Sequence, residues 1–276
     1  MRARVAMFVS LVALLATPAW ANCADEYYHG VAPRVVQSAR WDVRELCYDD
    51  FAVGHSGVTL TPLWSAEHVT ASEVEAAHTL ARHDDFHADE NLPRGERAEL
   101  IDYRRSGYDR GHMAPSGDMP TLEAQDQSFT LANIAPQAPS LNRGLWEQIE
   151  VAVRNLAERD GELYVVTGPI FDARSDTLNG RVRVPIALFK AVYDPRRQQA
   201  AAYVADNVAG AGYRVISISA LRAMIGADVF PSLPASMKAR ATDLPAPERR
   251  ERQAPPETIA RNREPSLGRI LTAYSR

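Results

Sequence analysis

Two short segments hold side chains able to move protons and bind anions. The first is Ser106-Gly107-Tyr108-Asp109-Arg110-Gly111-His112-Met113-Ala114-Pro115, which sets a histidine beside a glycine, a cation and a carboxylate on an expected loop. A neutral imidazole is the side chain best suited to take a proton near pH 7. The second runs from Asn133-Ile134-Ala135-Pro136-Gln137 into Leu141-Asn142-Arg143-Gly144-Leu145-Trp146, and then to Glu150 and Arg154. Here an amide oxygen, a carboxylate and an arginine fall within about 120° of one another around a regular helix, on one broad face. Each motif alone has a plainer reading. A lone histidine is more often surface or core, and an asparagine at a helix start is usually a cap.

These residues need a scaffold, and the chain is long enough to supply one. Its 276 residues are 46% hydrophobic and 24% charged, close to the globular average, which excludes collagen-like and wholly disordered chains. Residues 57–66 read as a strand, rich in β-branched and apolar side chains. The acidic stretch 67–99, with nine acids against three arginines, reads as loops with a short helix. Ser140 should cap a helix over 141–159, whose stripe of Leu141, Leu145, Ile149, Val153 and Leu156 faces a core and which Gly161 stops. Strands follow at 163–167, 183–192 and 200–204, and a short helix at 219–226. On a regular helix Glu150 lies about 12 Å along the axis from Asn142, too far for both to bind one ion directly.

The ends differ in character. Arg2 and Arg4, the apolar stretch 5–16 and the A-x-A signal Ala19-Trp20-Ala21 predict a signal peptide over 1–21 and export to the periplasm or beyond. Its removal would shift the formal charge from −4 to −6. That sign gives no global pull toward nucleic acid, so any phosphate binding must be local. No run of eighteen uncharged apolar residues follows position 30, so no membrane anchor is expected in the mature chain. Residues 22–57 read as an amino-terminal extension. Cys23 and Cys47 are the two cysteines, and in an oxidising compartment they most simply form one disulfide. Residues 239–276 read as a flexible tail; from 240 onward there are eight arginines, five acids and five prolines.

Taken in order with Val165-Val166-Thr167-Gly168-Pro169 and Gly226-Ala227-Asp228-Val229-Phe230-Pro231, the two segments resemble the DNA/RNA non-specific endonucleases. The likeness runs over roughly residues 58–234. It implies an α+β fold with a mixed or antiparallel sheet carrying a ββα-metal (His-Me finger) site. His112 would be the general base, and Asn142 the one protein side chain bound to Mg²⁺. Glu150 would hold one of the ion's waters. Arg154, Arg110 and Arg82 would face phosphate; Arg82 lies in the least well matched stretch, with Arg94 and Arg97 as neighbouring choices. Asp109 and Asn133 would hold the site together. The implied substrates are DNA and RNA, cut with little sequence preference because backbone contacts carry no sequence information. The resemblance leaves open whether Mn²⁺ substitutes, whether the chain forms a homodimer and whether an inhibitor protein protects the host.

Two rival readings remain. One is a catalytically silent relative that binds nucleic acid. The other is a zinc metalloprotease, because His83-Asp84-Asp85-Phe86-His87 mimics the H-E-x-x-H helix with aspartate in place of the glutamate base.

Overall fold

The computed structural model describes residues 23–248. The expected signal peptide and residues 249–276 of the expected tail lie outside that range. The core is one antiparallel sheet of seven strands: β1 (Val43–Cys47), β2 (Ala52–Ser56), β3 (Thr61–Thr70), β6 (Glu162–Ile170), β7 (Ala187–Asp194), β8 (Gln199–Asp206) and β9 (Tyr213–Ile216). Their order across the sheet is β9-β8-β7-β6-β3-β2-β1. A separate hairpin pairs β4 (Asp109–His112) with β5 (Ile134–Gln137), His112 standing opposite Ile134.

Alternation along the strands gives the sheet two apolar faces. On one, Trp64, Ala66, Val166, Phe189, Ala191 and Val204 pack against Ile218, Leu221 and Phe230. On the other, Val69, Leu163, Val165, Leu188, Val192 and Tyr203 pack against Ile149, Val153 and Leu156. Those last three lie on α4 (Glu147–Asp160), where the i, i+4, i+7 spacing buries one stripe. Burying each such side chain contributes roughly 1.5–3 kcal/mol. The inner strand β7 is buried along its whole length, as a strand covered on both faces must be. Helix α1 (Ala71–His78) packs against α4. Its start is fixed by a capping box, in which Thr70 and Glu73 satisfy each other's backbone N–H groups.

Several expectations change. Residues 57–60 form the turn before β3, not its first half, and Leu60 takes a left-handed φ of 56° there. The boundary expected at 57/58 is not one in the fold, because β1 and β2 add to the same sheet as β3. Strand β1 is the edge, half exposed, so it lacks the apolar run that marks an inner strand. The disulfide Cys23–Cys47 joins the amino-terminal turn to that edge strand. At the other end, Leu244 packs on the α4 side of the core and Tyr203 donates from its hydroxyl to the Pro245 carbonyl at 2.6 Å. The first residues expected as flexible tail are therefore held. Residues 81–86 form no helix, so His83 and His87 lack the one-face geometry a zinc protease needs. Among the described residues, no helix is long and apolar enough to cross a membrane.

Candidate active site

Strand β4, the residues that follow it and the start of α4 line a cleft of about 880 Å³. Arg82, Asp109, Arg110, His112, Asn142, Glu150 and Arg154 all line it. They come from four different parts of the chain. The cleft therefore gathers every expected site residue except Asn133.

Asn133 sits behind the cleft, fully buried, and fixes the strand end that presents His112. Its Oδ1 accepts from Ser65 Oγ at 2.8 Å and from the Ala114 N–H at 3.0 Å. Its Nδ2 donates to the carbonyls of Ala114 at 2.8 Å and Ser128 at 3.0 Å. One side chain thus locks the backbone two residues after the histidine. Gly111 is needed for another reason. A Cβ there would stand 2.1 Å from the Gln137 side chain across the hairpin.

His112 is 8% exposed. Its ring packs against Phe86 and Phe129, with centroids 5.3 and 4.9 Å away. Nε2 is covered and has no hydrogen-bond partner, which leaves Nδ1 as the ring nitrogen available to the cleft. Desolvation first, and then the positive charges of Arg82 and Arg110, push the imidazole down to about 3 against the opposing pull of Asp84. This environment favours the neutral ring.

The arginines are held differently. Arg110 lies over the Phe86 ring at 4.1 Å and makes no ion pair among the described residues. Arg82 donates to Asp84 at 2.6 Å and to Ser116 Oγ at 3.0 Å. Arg97, one of the neighbouring choices, is instead turned into the structure, donating to Glu99 at 2.9 Å and to the Asp89 carbonyl at 3.0 Å. Arg94 does not line the cleft. Arg154 pairs with Asp118 at 2.5 Å.

Asn142 does not lie on the regular helix expected for it. Residues Leu141–Trp146 form a π-helical turn broken at Gly144, with φ −130° and ψ −106°, before α4 begins. The regular-helix spacing between Asn142 and Glu150 therefore does not apply. Ser140 does not cap through its side chain either. The Asn142 amide nitrogen donates to Asp109 Oδ2 at 3.1 Å, which turns its oxygen away from that carboxylate. Arg143 grips Asp109 with two further bonds at 2.6 and 2.7 Å. Burial alone would raise Asp109, but these hydrogen bonds hold it below the usual carboxylate range.

A sequence profile of the family described as DNA/RNA non-specific endonuclease matches residues 34–236. The chain belongs to the DNA/RNA non-specific endonuclease family. Nuclease C1 of Cunninghamella echinulata var. echinulata is 36% identical over 153 residues, which are 51% of this chain and 61% of that one. Mitochondrial endonuclease G of Bos taurus is 32% identical over 173 residues, 62% of this chain and 55% of the relative. Human mitochondrial nuclease EXOG is 36% identical over 125 residues, covering 45% and 34%. The chain thus spans between about a third and three fifths of the length of these relatives. A crystal structure of the EndoG/EndoGI complex aligns at a TM-score of 0.65 with 25% identity, over 78% of this chain and 92% of that one. Its mixed architecture agrees with the α+β fold implied by the family.

Beneath the cleft of this family member lies a charged layer that sequence reading missed. Glu67 on β3 and Lys190 on β7 are 1% exposed, and Asp118 is 6% exposed. Lys190 Nζ donates to Thr167 Oγ1 at 2.8 Å. Burial pushes Glu150 up to about 7, with Lys190 and Arg154 pulling down and Asp118 and Glu147 pushing further up. Lys190 carried a usable signal. It is one of two lysines in the chain and interrupts the apolar run Ala187–Tyr193. Asp118, Phe86 and Phe129 carried none, because only the fold brings them to the site.

Proposed function

We propose that this protein is an exported, metal-dependent endonuclease that hydrolyses phosphodiester bonds in DNA and RNA with little sequence preference. One observation carries the reading: His112, Asn142, Glu150, Arg154, Arg110 and Arg82 line a single cleft although they lie up to about seventy positions apart in the chain. A silent binding relative would not require a proton acceptor and an oxygen-rich cation site in the same groove.

A phosphodiester is an anion, so water attacks it only when charge is neutralised and a base is at hand. His112 Nδ1 takes the proton as the water oxygen bonds to phosphorus and the bond to the departing oxygen breaks. The ring's strongly lowered proton affinity is that of the free cleft. An anionic phosphate beside it opposes Arg82 and Arg110 and moves the imidazole back toward the range a base needs. Arg110 and Arg82 offer planar donor forks to phosphate oxygens. Asp109 orients Asn142 and Arg143 and takes no part in bond making.

The donors present fit a divalent cation. The Asn142 side-chain oxygen as direct ligand and the Glu150 carboxylate acting through one of the ion's waters, neither with a hydrogen-bond donor among the described residues, suit a hard ion such as Mg²⁺ or Mn²⁺. When bound, such an ion neutralises phosphate charge and supports the departing oxygen. Glu150, held partly protonated by burial, is expected to lose its proton as the ion binds.

The disulfide favours an oxidising compartment, in keeping with export. Digestion of plasmid DNA and of RNA, with Mg²⁺ and with EDTA, tests the reading. Cutting of both that stops in EDTA is expected. Binding without cutting would support the silent relative, and cutting untouched by EDTA would remove the metal from the account.

A further inference from the structure

The cleft does not end at the reacting groups. Its far wall is the short helix Leu100–Tyr103 and the following Arg104, and Leu100, Ile101 and Arg104 line the same cleft as His112. Beyond that wall runs a second, more open groove of about 590 Å³ that shares Ile101 and Arg104 with the first and adds Arg105 and Arg181.

The surface of this groove combines two features. Ile101, which lines both groove and cleft, is 58% exposed, and its neighbour Leu100, on the cleft side of the shared wall, is 46% exposed. Arg104 and Arg105 are exposed cations that follow directly in the chain. The acid nearest them in sequence, Asp102, is already engaged: it is buried, accepts from the Glu99 N–H at 2.8 Å and faces Arg181 at 3.5 Å. Arg181 donates in addition to the Arg97 carbonyl at 3.0 Å. Among the described residues Arg104 and Arg105 pair with no acid, so the groove carries their charge in a protein whose overall charge is negative. The wall is also braced. Asn179 Nδ2 donates to the carbonyls of Ile101 at 3.3 Å and Asp102 at 3.0 Å, tying the turn before Arg181 to the helix.

Resting on the nuclease reading above, we propose that this groove carries an unpaired strand of the substrate beside the scissile phosphate, its phosphates on Arg104 and Arg105 and its bases against Leu100 and Ile101. Cations alone would serve duplex and single strand alike. A duplex keeps its base faces stacked inside, so an exposed apolar pair beside those cations has nothing to gain from it. An unstacked strand presents both a charged backbone and apolar base faces, and both features of the groove then find a partner.

The test compares three substrates with Mg²⁺ present: a single-stranded oligonucleotide, the duplex of the same sequence, and bis(p-nitrophenyl) phosphate, which is too small to reach the groove. The proteins are the wild type, the double variant Arg104→Ala/Arg105→Ala, and Ile101→Ser. The double variant is expected to lose about tenfold or more in kcat/KM on the single strand at moderate salt, and to flatten the log–log salt slope by about 1.4, two phosphate contacts at ~0.7 each. Ile101→Ser should reduce cleavage of the single strand more than of the duplex. Both variants should stay within about twofold of wild type on the small diester, since neither touches the reacting groups. Equal losses on single strand and duplex, losses on the small diester as large as on the oligonucleotide, or no loss at all would each overturn the proposal. A wild type that cuts none of the three overturns the nuclease reading itself, and this proposal with it.

Discussion

Arg154 donates to Asp118 at 2.5 Å, with the two side chains only 13% and 4% exposed. The guanidinium nearest Glu150 on α4 is therefore already seated before any substrate arrives. Burial alone would lower its proton affinity, but Asp118 and Glu150 more than restore it, so the group stays cationic. A phosphate reaching this arginine meets a donor whose position is fixed by a carboxylate behind it, which reduces the ordering that binding would otherwise require.

Asp118→Ala removes that support. A charge-assisted hydrogen bond in a mostly buried setting is worth about 1.5–3 kcal/mol, so thermal unfolding of the variant should show a stability loss of about 2 kcal/mol. Because Asp118 also pushes Glu150 up, its loss should let Glu150 ionise at lower pH. A variant as stable as wild type would show that the pair contributes nothing.

The His112 segment was legible because its residues are contiguous. Asp109-Arg110-Gly111-His112 forms one strand, and hairpin pairing alone places it beside Asn133 and the residues that follow. Asn142 was legible in type but not in geometry, because a periodicity argument assumes a regular helix and Gly144 breaks it. Glu67, Asp118 and Lys190 reach the site only through strand register and packing, which no local pattern encodes. The same reason hid β1 and β2: an edge strand with Arg44 and Glu45 exposed does not alternate as an inner strand does.

Glu26 gives the chain a pH dependence remote from the cleft. Burial pushes it up to about 8, against the His68 N–H that donates to it and favours the charged form. The folded state therefore binds this proton more tightly than the unfolded chain. Its contribution is complete below the ordinary value of 4.5 and is lost as pH rises through about 8. Glu26→Gln should gain in melting temperature relative to wild type on going from about pH 5 to about pH 9, as other titrations cancel in the difference. A difference that does not change with pH would place the Glu26 proton affinity in the normal range.

The disulfide closes a loop between residues 24 positions apart. Cys23→Ser/Cys47→Ser should destabilise the protein by about 3.5 kcal/mol by the loop-entropy estimate. A reducing agent should lower the melting temperature of wild type and leave the double variant unchanged. Equal melting temperatures for oxidised and reduced wild type would contradict this.

The proposed role of His112 as general base beside Asn142 is tested most directly by single-turnover cleavage of DNA with Mg²⁺ by wild type and by His112→Ala, each shown to be folded by circular dichroism. Loss of a general base predicts a fall of about 10²–10⁴ in the cleavage rate with substrate binding little changed. A folded His112→Ala protein that cuts at close to the wild-type rate would contradict the account.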